Sequence, residues 1–513
     1  MKYARFFGGG NRMALALGLA LTAAVASGQS GGPAFSFDPD DQAQAAGGLD
    51  AINPYNGILS LAMPIGPSYP VGPGLTFQIR LYYSSRIWSP GTWVIGPPVQ
   101  PRMLLDGDPA LGLGWRLGFG QIVEGTTAGV PLAYVSPDGS AHRLYNKRIF
   151  NTGSADGFFY SRDGSYLRVK YVSSTAGYQV WTPDGNLVKL GQNVRGYDDV
   201  PTGPYQSDFG RGRDGWHTTR IENAYGDGVD IDYQASGTSG PCGPPTNYCW
   251  VPNHITVASV GGNPSTRALQ VRMNGTHVGY IDVKTFNNAT STYTLHTATH
   301  GFPLTRPYPQ PTVTVPAQAY LDSIDLPMSG YTSSFTYFDG GTTTSYANGA
   351  MSHQQIPTGA SVDYQYRLWS WYHANPLNRP SNCGYPIVQY PAGRPTIRTA
   401  PDQSDPFLTD PGTDCAAADR SAGVVKRTLN YTTINGTATA TTRYYQYDYG
   451  DGEPGSGATT AQSQTVVVSP TDVGGSQHST TYLYDVSTPL AISGPFVGSL
   501  VRTAVYAGDL GQQ

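Results

Sequence analysis

The sequence predicts an all-β protein: many short antiparallel strands and hairpins in a sheet- or shell-like architecture, with no substantial helix beyond an N-terminal signal peptide. Three observations predict it. Apolar and polar residues alternate along LTFQIRLYYSS (75–85), RALQVRMN (267–274) and STTYLYDVS (479–487), the period of a half-buried strand. Glycine (64) and proline (41) make up about a fifth of the 513 residues, which is the punctuation that frequent turns require. A strand, Asp-Gly, strand pattern is written three times, in LAYVSPDGSAHRLY (132–145), FFYSRDGSYLRVKY (158–171) and YQVWTPDGNLVKLG (178–191).

From the N-terminus, Lys2, Arg5 and Arg12 precede the apolar run 13–26, which ends in Ala24-Val25-Ala26. A basic flank, a short apolar stretch and a small-x-small site read as a secretory signal peptide, residues 1–28. It is too short to span a bilayer, and no other stretch could cross one. Residues 29–52 are a small, polar lead-in. Two alternating strands follow in NPYNGILSLAMPIGPSYPVGPGLTFQIRLYYSSR (53–86), ILSLAMPI and LTFQIRLYYSS, joined by a Pro/Gly loop. A Pro-rich loop (87–103) and LGLGWRLGFGQIVEG (111–125) lead into the three hairpins, closing a β region over 53–192.

The hairpin turns carry Asp138-Gly139, Asp163-Gly164 and Asp184-Gly185. A type I turn followed by a left-handed glycine suits each. Four residues after each glycine comes a base (Arg143, Arg168, Lys189), and five after comes an apolar side chain (Leu144, Val169, Leu190). Strand alternation puts the bases on one face and the apolar set on the other, so three copies of one hairpin lie over a shared apolar surface. Short strands continue through 193–373. Residues 374–421 form a Pro/Asp-rich insertion, and strands return over 422–513.

Charged residues are 13% of the chain and the net charge is −4, which is no nucleic-acid footprint. Apolar residues at 39% exclude a disordered chain. Cys242, Cys249, Cys383 and Cys415 fit an oxidising compartment. Three connectivities are open, the two local pairs being favoured, and no Cys-x₂-Cys pair points to zinc.

Catalytic candidates fall away on context. Gly28-Gln-Ser30-Gly-Gly32 matches a nucleophile elbow in letters, but a signal peptide precedes it and a Gly/Pro linker follows. His296 and His300 would chelate only on a helix, and STYTLHTATH reads as a strand, which separates them by about 13 Å. The acidic clusters at 38–41, 227–232 and 448–453 lack EF-hand spacing and read first as turn chemistry. Trp369, Trp371 and Tyr372 are core aromatics before they are sugar platforms. Asn274, Asn288, Asn430 and Asn435 sit in N-x-S/T sequons that mark surface turns. No cofactor or metal is expected, and no enzymatic activity.

Taken in order, several of these segments resemble the N-terminal portion of Rhs/YD-repeat proteins, the family of bacterial toxin carriers and teneurins. NPYNGILSLAMPIG and LTFQIRLYYSSR resemble the entry strand pair. Leu111-Gly-Leu-Gly-Trp115 is similar to a "lG.GW" landmark, and Arg220-Ile221-Glu222-Asn223 through Tyr233 to an "I.D.nGN…Y" unit. Tyr445, Tyr447 and Asp448, then Tyr482, Tyr484 and Asp485, match the Y-x-Y-D core, although neither copy is followed by Gly-Arg-Leu. The resemblance implies YD strands wound into a hollow shell around a C-terminal polypeptide. The expectation is a secreted or cell-surface, non-enzymatic scaffold, the N-terminal part of a β-shell. It would have an open sheet edge near 441–507 that takes a downstream repeat/effector segment or a partner chain. The alternative is an extracellular carbohydrate-binding or adhesion module with a cell-surface glycan as ligand.

Overall fold

The computed structural model describes residues 50–53, 57–93, 100–105, 107–108, 110–124, 129, 131–137, 141–146, 156–161, 165–194, 215–234, 251–257, 268–285, 289–301, 304–305, 314–315, 318–338, 349–371, 419–448, 462–468, 478–485 and 499–507. Among them there is no helix, and the protein is all-β. Three bodies of strand share two apolar cores.

The first body is a four-stranded sheet of Asp50–Ile52, Leu59–Gly72, Leu75–Ser84 and Trp115–Arg116. Alternation decides its faces: Leu59, Leu61, Met63 and Ile65 on one strand, and Leu75, Phe77, Ile79, Leu81 and Tyr83 on the next, are all buried. The sequence suggests a Pro/Gly loop after Ile65, but the strand runs on to Gly72 and turns only at Pro73-Gly74. A register shift between Ile65 and Tyr69 absorbs the prolines, as bulges do. Gly66 sits there at φ +77°, and a Cβ would come within 2.9 Å of Val283. Within the expected loop 87–103, Trp88–Trp93 pairs with Gln100–Leu105, Trp88 opposite Leu105.

The second body is a small closed ring. Pro131–Val135, Ala141–Tyr145, Phe159–Ser161, Arg168–Ser173, Gly177–Trp181 and Leu187–Leu190 pair in chain order. Gln192–Val194 then pairs with Gly215–His217, Gly215–His217 with Gln121–Glu124, and Gln121–Glu124 with Pro131–Val135. Closure removes the ring's edges. Its core gathers Ile122, Tyr134, Leu144, Val169, Tyr178, Val180, Leu190 and Trp216. Trp216 lies against Gly177, which is held at φ +67°; a Cβ there would meet the Leu190 carbonyl at 1.9 Å and the indole at 2.4 Å.

The three hairpins are not identical copies. In the first, Arg143 stands opposite Ala133, six residues before Gly139; in the third, Lys189 stands opposite Gln179, six before Gly185. In the second, Arg168 faces Tyr160, only four before Gly164. The cause is a wider loop around Ser165–Leu167, where the Ser161 hydroxyl accepts from the Leu167 N–H at 2.8 Å and Tyr166 adopts φ +53°.

The third body is a ladder. It leaves the ring where Leu187–Leu190 pairs with Arg220–Glu222. It then runs strand by strand through Gly228–Gln234, Val251–Val257, Ala268–Asn274, His277–Lys284, Thr290–His300, Gln318–Asp325, Thr332–Tyr337, Met351–Gln355, Ser361–Trp371, Asp419–Thr432, Ala438–Asp448, Gln462–Val468, His478–Asp485 and Ser499–Ala507, each antiparallel to the last. Alternating direction sends successive connections to opposite rims. At one rim, 235–250, 301–317, 338–350, 372–418, 449–461 and 486–498 join the strands, and 275–276 alone is tight. At the other, the connections are 223–227, 258–267, 285–289, 326–331, 356–360, 433–437 and 469–477.

Candidate functional site

The apolar face of the ladder is covered by the N-terminal sheet, and this junction explains the LGLGW stretch. Gly112, at φ +107°, lies on the backbone of Tyr320-Leu321, where a Cβ would come within 2.8 Å of the Tyr320 Cα. Gly114, at φ +77°, lies against Tyr83 and the Ser84 carbonyl. The two glycines let the chain approach closely enough to bury Trp115 completely. Its indole N–H donates to the Tyr337 hydroxyl at 2.8 Å, and its ring packs 4.8 Å from Phe335 and 5.2 Å from Tyr83. The Tyr83 hydroxyl accepts from the Met351 N–H at 2.7 Å. Burial raises the Tyr83 and Tyr337 phenols well above the ordinary range, so both stay neutral.

The junction is locked at its far end by a charge cluster. Asp50, on the first described strand, accepts from Arg427 Nε at 2.5 Å and Nη2 at 2.8 Å, and from the Tyr364 hydroxyl at 2.9 Å. Burial alone would depress the Arg427 guanidinium, but the hydrogen bonds and charge of Asp50 outweigh it and hold the group above its usual value. The Tyr364 phenol is raised by burial and by Asp50. Close by, the Val424 N–H donates to the Gly57 carbonyl at 2.8 Å. The N-terminal sheet is thus tied directly to Asp419–Thr432, the strand next to the first Y-x-Y-D segment.

In that segment Tyr445 is buried in the large core. Registers run Tyr445–Val467–Thr480 and Tyr447–Thr465–Tyr482, with Asp448 opposite Gln464, Tyr484 opposite Ser463 and Asp485 opposite Gln462. The two motifs therefore share one cross-strand row. Strands 438–448, 462–468 and 478–485 are paired on both sides, so the expected edge over 441–507 narrows to Ser499–Ala507, whose one registered neighbour among the described residues is His478–Asp485.

Other predicted residues are dispersed. Asp184-Gly185 caps an exposed hairpin: Gly185 has φ +84°, its N–H donates to the Thr182 carbonyl at 3.0 Å, and Asp184 accepts from the Asn186 amide at 2.6 Å. Arg168 is exposed and Lys189 half-exposed, whereas Leu144, Val169 and Leu190 are buried. Asp138, Gly139, Asp163, Gly164, Cys242, Cys249, Cys383 and Cys415 lie outside the described residues. His296 and His300 lie on a strand and bind different carboxylates, Asp325 and Asp322, each at 2.7 Å. Asn430 is mid-strand rather than in a turn, its amide donating to Asp363 at 2.6 Å. Asp230 pairs with Arg220 at 2.6 Å, and Asp227 accepts from Asn223 at 3.2 Å, so these two acids serve an ion pair and a turn. Among the described residues no group of three metal-ligating side chains assembles.

The sequence reading missed two features. A crevice of about 50 Å³ opens where the three bodies meet, lined by Asp108, Arg116, Gly118, Ser136, His217 and Tyr233. Beside it, Ser136 Oγ lies 2.8 Å from His142 Nε2, diagonally across one hairpin. The second is an outward cluster of cations and aromatic rings that spans the second and third hairpins. Its signal was present, since Arg168 belongs to the basic row and Phe158 and Trp181 stand near it in sequence. Only the register brings them together.

No protein-family model matches the chain, and no curated protein matches it at a significant level. Among solved structures, the N-terminal domain of effector protein SpvB from Salmonella typhimurium strain LT2 aligns over 60% of this chain and 93% of that one, at 15% identity and a TM-score of 0.22. A score that low does not establish a shared fold.

Proposed function

We propose that the chain is an exported, non-enzymatic scaffold of the Rhs/YD-repeat type, the N-terminal part of a β-shell that encloses or presents a C-terminal effector. One observation carries this: an unbroken antiparallel ladder from Arg220 to Ala507, walled on its apolar face by the N-terminal sheet and clamped to it through Asp50 and Arg427. Repeated strands cannot bury their apolar face alone, and the described side chains of the ladder from Val229 to Tyr445 share one buried core with that sheet. The terminal strand Ser499–Ala507 is where a further strand would add.

Expression of residues 29–513, followed by toxicity and hydrolysis assays and a measurement of oligomeric state, tests the reading. An inert protein that associates through its last strand supports it. A stable monomer that kills cells or turns over a substrate overturns it.

A further inference from the structure

The repeated bases of the hairpins are not equivalent in the fold. Lys189 is neutralised by Glu222 at 2.7 Å, and Arg220, the next base along that cross-strand row, by Glu222 and Asp230 at 2.7 and 2.6 Å. Arg168 and Lys170 are different. Both are exposed on the outer face of Arg168–Ser173, and among the described residues no carboxylate pairs with either. Asp156, on the same hairpin, accepts from the Phe158 N–H at 3.1 Å and the Tyr160 hydroxyl at 2.6 Å.

The two cations stand among half-buried rings. Arg168 Cζ lies 3.6 Å from the centre of Phe158 and 5.4 Å from that of Trp181, and Lys170 Nζ lies 5.7 Å from Phe158. Phe158 and Trp181 meet edge to face at 5.9 Å. Stacking fixes the guanidinium plane and leaves its N–H edge to donate. Two residues apart on one strand face, the cations are about 7 Å apart at their Cα atoms.

We propose that this outer face of the small ring binds an acidic polysaccharide, with Arg168 and Lys170 pairing uronate carboxylates and the Phe158–Trp181 pair packing against the apolar face of a sugar ring. The chemistry selects this partner. A planar guanidinium matches a carboxylate in bidentate fashion, and an amphipathic aromatic surface beside it suits a ring that is apolar on its faces and polar at its rim. Nucleic acid is disfavoured because its binding rests on neutralising many phosphates with Lys and Arg, whereas the described residues of this face present two cations without a carboxylate partner, on a chain of net charge −4. The site is independent of the scaffold reading: its residues belong to ring strands and not to the ladder's last strands.

The test is a titration of the exported chain with alginate oligosaccharides, with neutral dextran oligosaccharides and an oligo(dT) strand in parallel. Alginate should bind, dextran should not, and oligo(dT) should bind at least tenfold more weakly. Arg168→Ala with Lys170→Ala should lower alginate affinity tenfold or more. Arg168→Lys, which keeps the charge and loses the planar stack, should lower it severalfold. Lys189→Ala, whose base is already paired, should leave it unchanged. Amide exchange of the ring strands reports that each variant is folded. Absence of alginate binding, equal binding of oligo(dT), or an equal loss in Lys189→Ala overturns the assignment.

Discussion

Replacing Arg427 with Met should loosen the seam between the N-terminal sheet and the ladder without unfolding either. The Asp50 side chain is 5% exposed and that of Arg427 20%, so the pair is largely dry. Removing one partner of a buried, hydrogen-bonded ion pair costs about 3–5 kcal/mol. The partial exposure of Arg427 and the remaining Tyr364 hydroxyl on Asp50 place this case at about 3 kcal/mol. A cost of about 3 kcal/mol corresponds to roughly a hundredfold change in an opening equilibrium. The readout is hydrogen exchange followed by mass spectrometry on peptides spanning 50–61 and 419–432, which include the Val424 N–H bonded to Gly57. Protection there should fall about a hundredfold, and protection of the ring strands should not move. The double variant Asp50→Leu/Arg427→Met leaves no charge stranded and should regain most of the protection. Unchanged protection in the single variant, or a double variant as loose as the single, would refute the reasoning.

Three further outcomes are expected. Gly177→Ala should prevent the ring from closing or lower its unfolding midpoint sharply, because its Cβ would collide with the Leu190 carbonyl and Trp216, whereas Gly185→Ala, in open space at φ +84°, should cost only about 1–2 kcal/mol; thermal unfolding of the pair separates a steric from a purely conformational penalty. Burial depresses the His277 imidazole, partly offset by Asp108. The unfolded chain therefore takes up the proton first, and the stability contributed by neutral His277 is present above its ordinary value of about 6.5 and is lost as pH falls from there toward the lowered one. Chemical denaturation at pH 7.5 and 5.5 should show a drop that His277→Asn reduces. The chain, produced in an oxidising compartment, should titrate no free thiol without reductant; two or more would count against bridges among Cys242, Cys249, Cys383 and Cys415.

Strand periodicity was legible because it depends only on which side chains are apolar. Leu75, Phe77, Ile79 and Leu81 announce a buried face whatever they pack against. The length of Leu59–Gly72 was not, since proline and glycine read as a loop until a neighbour such as Val283 turns the irregularity into a bulge. The hairpin repeat was visible as spacing, but its second copy shifted register through a loop that the Asp-Gly signal does not encode. Of the site, Trp115 and its glycines were visible as a motif, but their reason, close approach to Tyr320-Leu321 some two hundred residues on, is tertiary. Asp50 and Arg427 carried no local signal at all. Neither sits in a motif, and only the fold brings them together.

The unequal rims of the ladder have a consequence for how such a protein changes over time. The longer connections at one rim emerge about two strand spacings apart, roughly 10 Å, and each begins and ends in a strand whose register is set elsewhere. The four cysteines fall within two of them, 235–250 and 372–418. Length gained or lost at this rim costs only slowly growing closure entropy, whereas the tighter turns at the opposite rim help fix the register of neighbouring strands. Insertions, grafted peptides and lineage-specific segments should therefore accumulate on one side of the molecule. A foreign epitope placed within 338–350 or 449–461 should be accepted where the same epitope at 356–360 or 433–437 is not.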